Sequence, residues 1–332
     1  MKKYIIASLL SGIFIIFGLN SLFSFAAEPA SRGNTVSKDM LPAELKGMEV
    51  KDYYIKLDSE KIGKVIKTKG NLIVLHKETG QAYFAAKGDS LYGNDTLYTL
   101  KDSRCRVGFV TGDIITMAGD TTISAEEIVN DREGRKKKSV FSMAKGKAMF
   151  YVMRLLGYKD VDTSVKTRTA VMGVRGTKFG VEVVPGSEKM GQGRRIVIAD
   201  SSNYGFEMMA EAGQQGGNAG YSKLIVFAGR VFGLRTDGKL VELEAGETAL
   251  FGETETKVYG TTKEDVRAFL DAVGAEALRG FIPEGEGEKD TFEEDLDELL
   301  EKLQEDGFIL DAEPEQPAPP PMFVTPSMAV MP

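Results

Sequence analysis

Two side chains limit the thiol and imidazole chemistry open to this sequence. His76 is the only histidine among 332 residues and Cys105 the only cysteine. A thiolate–imidazole pair would have to use these two. A zinc site of several histidines is excluded, and so is an intramolecular disulfide. His76 closes an apolar run just before Lys77 and Glu78, which predicts a strand-end position facing solvent. Cys105 alternates with Arg104 and Arg106 ahead of Val107 and Phe109, the pattern of a small core residue on a strand. The flanking arginines would lower the pKa of an exposed thiol, so a reactive cysteine is the alternative. Carboxylates are plentiful, yet nothing in their spacing selects a pair for acid–base work. Asp89, Asp95, Asp113 and Asp120 each adjoin Gly or Thr, where aspartate closes turns on nearby backbone. A calcium site is the sharper alternative, but the dense alternation of ligands in a calcium loop is missing. The sequence therefore predicts no catalytic residue, no metal and no cofactor.

The elements around these residues read as strands. From Gly63 to Gly252, short apolar runs are cut by Gly, Asp, Asn and Thr. Leu72–Leu75, Ala82–Phe84, Leu97–Thr99, Arg106–Val110 and Ile114–Met117 form a first series. Val165–Thr167, Phe179–Val183, Arg195–Ile198, Lys223–Phe227, Gly229–Phe232 and Lys239–Leu243 form a second. The β-branched and aromatic content suits antiparallel hairpins, and Thr236-Asp237-Gly238 is a strong turn signal. Many short strands at this spacing predict a mainly β fold, an antiparallel sandwich or jelly roll, with a few helices. One helix is expected from Ala144 to Leu156, with a strand as the alternative. A second runs from Thr261 to Ala277, with Thr261 and Glu264 as a capping box and Val266, Phe269, Leu270 and Val273 on one face. A third, Phe292 to Leu303, sets Phe292, Leu296, Leu299, Leu300 and Leu303 opposite a face of Asp and Glu. That stripe must be buried, either on the β domain or in a partner's groove. The cluster Arg135-Lys136-Lys137-Lys138 reads as a solvated turn.

The ends differ from the middle. Lys2 and Lys3 precede an apolar stretch from Tyr4 to Phe17, and Ser24-Phe25-Ala26 offers a cleavage site after Ala26. This is a secretory signal, with an uncleaved anchor as the alternative. The net charge is −7, but residues 283–315 hold fifteen acidic side chains and two lysines, a local −13. The remaining +6 includes Lys2 and Lys3, so the folded part gives no bulk-charge case for nucleic acid. The chain divides into a signal peptide (1–26), a linker (27–61), a β domain (62–183) and a β-rich continuation with a Gly-rich loop (184–260). A helix (261–281), an acidic linker with the amphipathic helix (282–313) and a Pro-rich tail expected to be disordered (314–332) complete it.

One set of motifs carries a resemblance. Gly88-Asp89, Asp95 to Thr99, Asp113 to Thr121 and Val174-Arg175-Gly176-Thr177-Lys178-Phe179 follow one another in an order and spacing similar to the FecR domain family. The pattern is a Gly-Asp turn, an Asp-x-x-x-Thr strand, a Gly-rich hairpin and a closing Val-Arg-Gly-Thr-x-Phe. Its characteristic positions here are Gly88, Asp89, Asp95, Thr99, Asp113, Thr116, Val174, Arg175, Gly176, Thr177 and Phe179. The closing motif is the most specific part. The family often has Thr-Pro before it, whereas Arg168 follows Thr167 here. Its sensor members carry a cytoplasmic anti-sigma segment ahead of the apolar stretch, where this sequence has Met1-Lys2-Lys3. The resemblance implies a β-rich extracytoplasmic module and does not carry over sigma-factor control; the lack of a catalytic constellation predicts that it is not an enzyme. It would bind, scaffold or sense in the periplasm or cell envelope, through protein partners. A role in iron-uptake signalling and a glycan-binding jelly roll are the alternatives; the absence of Trp counts against the latter. Arg175 between two glycines reads as a buried, paired residue, with exposed recognition as the alternative.

Overall fold

The computed structural model describes residues 31–33, 36–153, 158–186, 197–198, 208–209 and 220–278. Strands dominate. In chain order they are β1 (Val50–Lys51), β2 (Lys61–Lys69), β3 (Leu72–His76), β4 (Gln81–Ala85), β5 (Ser90–Tyr92), β6 (Asp95–Thr99) and β7 (Arg104–Phe109). Then come β8 (Ile114–Met117), β9 (Thr122–Asp131), β10 (Lys136–Tyr151), β11 (Asp160–Lys166), β12 (Ala170–Val174) and β13 (Lys178–Val184). The last are β14 (Val197–Ile198), β15 (Met208–Met209), β16 (Tyr221–Ala228), β17 (Arg230–Arg235), β18 (Leu240–Glu244), β19 (Glu247–Phe251) and β20 (Thr256–Gly260), followed by the helix α1 (Lys263–Val273).

Apart from the two-stranded ribbon of β14 and β15, the pairings describe two sheets that share one strand. The first runs β1-β4-β3-β6-β9-β10-β11-β12-β17-β18. The second runs β5-β2-β7-β8-β10-β13-β16-β19-β20. All pairs are antiparallel except β1–β4 and β10–β11. Strand β10 lies in the first sheet up to Lys145 and in the second from Gly146 on. Gly146 makes the crossing, with φ +97; a Cβ there would lie 2.5 Å from the Thr121 Cα. The sandwich expected from strand spacing is what forms.

Alternation explains the core. Phe141 and Met143 of the first sheet face Phe109, Ile115, Phe150, Phe179 and Phe251 of the second, all buried. Helix α1 covers the outer face of the second sheet, laying Val266, Phe269, Leu270 and Val273 on Ala118, Met149, Ile225 and Phe227. Its four core residues are those the sequence predicts. Its N-cap is Thr262 with Asp265, one residue later than the expected Thr261 and Glu264. The other outer face is partly covered by the chain before β2. Leu45, fully buried, joins Ile73, Phe84 and Tyr98, and β1 pairs with β4. This stretch, expected to be a linker, is packed structure.

Two further expectations change. The predicted helix from Ala144 to Leu156 is strand as far as Tyr151. Ala148 and Phe150 point into the sandwich while Met149 packs under α1, so both faces are apolar and the two-residue period is masked. The basic cluster is not all solvated: Arg135 is an exposed turn residue with φ +57, but Lys136–Lys138 begin β10 and Lys137 is fully buried. No helix among the described residues is long and apolar enough to cross a membrane. The amphipathic stripe Phe292, Leu296, Leu299, Leu300 and Leu303, the signal and the Pro-rich tail lie outside the described residues.

Candidate functional site

The closing motif is a corner between the sheets. Val174 ends β12 in the first sheet and Lys178 starts β13 in the second, so Arg175-Gly176-Thr177 carries the chain across. Gly176 has φ +67, where a side chain would strain the backbone. A second crossing, from β16 to β17, stacks on it through Gly229, whose Cβ would meet the Gly176 carbonyl oxygen at 3.0 Å. The buried Thr177 hydroxyl donates to the Arg230 carbonyl at 2.9 Å, and the Thr177 carbonyl accepts from Val152 N–H at 2.9 Å. Phe179 stacks on Phe150 with centroids 5.1 Å apart. Arg175 itself is exposed and makes no hydrogen bond or ion pair among the described residues. The preferred reading of Arg175 as buried and paired is therefore wrong. The glycine and threonine build the corner, and the guanidinium is left outside it.

Next to that corner lies a buried polar cluster centred on Asp113. One carboxylate oxygen accepts from Lys137 Nζ at 2.5 Å and from Met153 N–H at 3.0 Å. The other accepts from the hydroxyls of Ser139 at 2.6 Å and Thr111 at 3.0 Å. Lys137 Nζ also donates to the Met153 carbonyl at 2.8 Å. The pair is cut off from water: side-chain exposure is 0% for Lys137 and 2% for Asp113. The backbone of Val152 and Met153 thus joins Asp113 to Thr177, two motif positions far apart in sequence.

Asp89 and Asp95 each hold a different basic side chain. Asp89, after Gly88 with φ +94, takes a two-pronged contact from Arg32 at 2.6 and 2.8 Å. The Asp89 hydrogen bond, followed by its charge, outweighs partial burial and raises the Arg32 pKa. Asp95 closes its turn through Tyr92 N–H at 2.8 Å and faces His76 Nδ1 at 2.6 Å. The expectation that His76 lies on the surface fails, since it is 1% exposed. Its register partner across β3 and β6 is Asp95, a non-local contact that a strand-end position does not reveal. Burial would lower the His76 pKa, but the Asp95 hydrogen bond, the Ile55 carbonyl and the Asp95 charge together raise it. Burial raises the Asp95 pKa against the opposing pull of His76. Thr99 holds the β8–β9 turn, donating to the Ala118 carbonyl and accepting from Thr121 N–H at 3.1 Å. Thr116 is buried on β8, opposite Arg106 and Met149.

Cys105 is a core residue, as its alternation predicts, 1% exposed; burial pushes its thiol up to about 12. Sequence reasoning misses Lys137, although its parity with Phe141 in β10 is legible, and it misses Arg32 and the Val152–Met153 backbone. A groove of about 720 Å³ near the C-terminal end of α1 is lined by five basic and four acidic side chains, a near-balance that selects no charge of ligand.

Residues 95–199 match the family model described as FecR protein. That stretch is similar to a FecR domain. The match contains the motif positions from Asp95 to Phe179, while Gly88 and Asp89 precede it. The chain is also similar to two crystal structures of candidate anti-sigma factors from Parabacteroides distasonis ATCC 8503. The first is 16% identical with a TM-score of 0.34, covering 53% of this chain and 64% of that one. The second is 15% identical with a TM-score of 0.33, covering 64% of this chain and 90% of that one. This chain thus spans less than two thirds of the first structure's length. No curated protein matches.

Proposed function

We propose that this chain is an exported cell-envelope protein whose FecR domain is a non-catalytic module of signal transduction, working through a protein partner. The FecR match over residues 95–199 carries the reading. Two observations support it. The single histidine and single thiol are buried within the fold, which leaves no exposed Cys–His chemistry among the described residues. The family's most specific motif presents one exposed guanidinium, Arg175, suited to a carboxylate on a partner. The basic n-region and apolar stretch before Ala26 support export to the periplasm or envelope. The apolar stripe of Phe292, Leu296, Leu299, Leu300 and Leu303, backed by an acidic face, suits docking in a partner groove with a basic rim.

The test pairs cell fractionation with crosslinking in the native host. Envelope localisation and a crosslinked partner are expected, with the crosslink lost in Arg175→Ala at an unchanged melting temperature. A cytosolic chain, or identical crosslinks with and without Arg175, would overturn the reading.

A further inference from the structure

Asp52 is fixed by Arg32 N–H, Gly33 N–H and the Ser31 hydroxyl; the rest of segment 52–60, between β1 and β2, is held at a cluster around His76. His76 Nε2 lies 2.9 Å from the Ile55 carbonyl oxygen. A carbonyl only accepts, so Nε2 carries a hydrogen and donates it. His76 Nδ1 faces Asp95 at 2.6 Å, a contact that needs a proton between the two atoms. Beside it, the Tyr54 and Tyr92 hydroxyls are 2.8 Å apart. The Tyr83 ring lies 5.6 Å from that of Tyr54 and 5.2 Å from His76, and its hydroxyl is buried with no hydrogen-bond partner. Closure of the segment therefore leaves one donor unsatisfied, a cost that opening to water removes.

We propose that the His76–Asp95 pair is a latch that holds segment 52–60 closed over this tyrosine cluster and lets it open when the shared proton leaves. With the proton present, both ring nitrogens donate, one to Asp95 and one to Ile55. Without it, the imidazole keeps its Nε2 hydrogen while the Nδ1 lone pair confronts an ionised carboxylate at contact distance. Turning the ring away relieves that repulsion and gives up the Ile55 bond. The groups facing His76 are Asp95 on β6, Tyr83 on β4 and Tyr92 on β5; Tyr54 reaches it through Tyr92, and Glu78 and Asp89 act through Asp95 and Tyr83. None of these supplies a second cation. The His76 pKa is raised from 6.5, so the latch is complete below 6.5 and is lost as pH rises through the folded value. Asp95, also raised, acts in the same direction, because the folded chain holds the proton more tightly than the unfolded one.

With one histidine in the chain, proton NMR of the imidazole reports this site alone. On the full chain, His76 is expected to titrate with a midpoint above 6.5. Trypsin cleavage after Lys56, followed by mass spectrometry, should accelerate with the same midpoint. One pH unit above it, the rate relative to His76→Gln should be about tenfold higher than one unit below it. A midpoint at or below 6.5 would overturn the latch, as would cleavage following one pH profile in both proteins. The NMR titration needs only the unaltered chain, so the proposal stays exposed to refutation even if His76→Gln does not fold.

Discussion

Removing the Asp113 carboxylate should be among the most damaging single changes in the sandwich. Asp113→Ala leaves the Lys137 ammonium at 0% exposure with only the Met153 carbonyl beside it. It also strips acceptors from Ser139, Thr111 and Met153 N–H. An uncompensated buried charge costs about 3–5 kcal/mol. For a folded body of this size that lowers the melting temperature by roughly 6–20 °C. Lys137→Met should cost less, because Asp113 keeps three of its four donors. The double change Asp113→Ala with Lys137→Met removes both charges and should recover at least about 2 kcal/mol relative to the sum of the singles. Urea unfolding of all four proteins measures this cycle. Additive singles, or an Asp113→Ala cost below about 1 kcal/mol, would mean that the pair is not the buried unit described above.

Three further outcomes follow from the packing. Cys105, held near 12 by burial, should resist alkylation at pH 8 in the folded chain and react promptly once urea unfolds it; fast labelling without denaturant would contradict its core position. Gly146→Ala should cost more than about 2 kcal/mol, since it combines φ +97 with a Cβ only 2.5 Å from the Thr121 backbone, and an unchanged urea midpoint would remove Gly146 as the point of sheet crossing. Gly180→Ala places a Cβ 2.5 Å from the tip of the Phe269 ring, so hydrogen exchange should quicken in Lys263–Val273 while β10 and β13 stay protected; equal protection in both proteins would show that the ring adapts without moving the helix.

Much of the sandwich is legible in the sequence because each strand writes its own signal. Cys105, Val107 and Phe109 alternate with half-buried neighbours, and their inward parity can be read without a partner. Helix α1 is legible for the same reason, down to its four core residues. Strand β10 is not. It is buried on both faces beyond Gly146, so the alternation vanishes and Ala, Lys and Met resemble a helix there. The electrostatics are harder, since a charge is tolerated in the core only because of a residue elsewhere in the chain. Lys137 is buried because Asp113 meets it, His76 because Asp95 meets it, and Asp89 because Arg32 reaches it from before β1. Composition near Lys137 or His76 contains none of that information.

The motif pattern itself separates architecture from recognition once each residue is placed. Gly176 and Gly229 let two crossings stack, Thr177 ties one crossing to the other, and Phe179 anchors β13 in the core. Asp113 reaches the same corner through Val152 and Met153, so a change at either motif would disturb the other. All these residues are spent on geometry. Arg175 is different: its removal opens no cavity and orphans no described partner, which places its stability cost within about 0.5 kcal/mol. On the function proposed above, Arg175 acts outside the fold, at a partner. The corner fixes where the Arg175 backbone stands, while its uncontacted side chain keeps its rotamer freedom, so the proposed contact with a partner's carboxylate would have to order it.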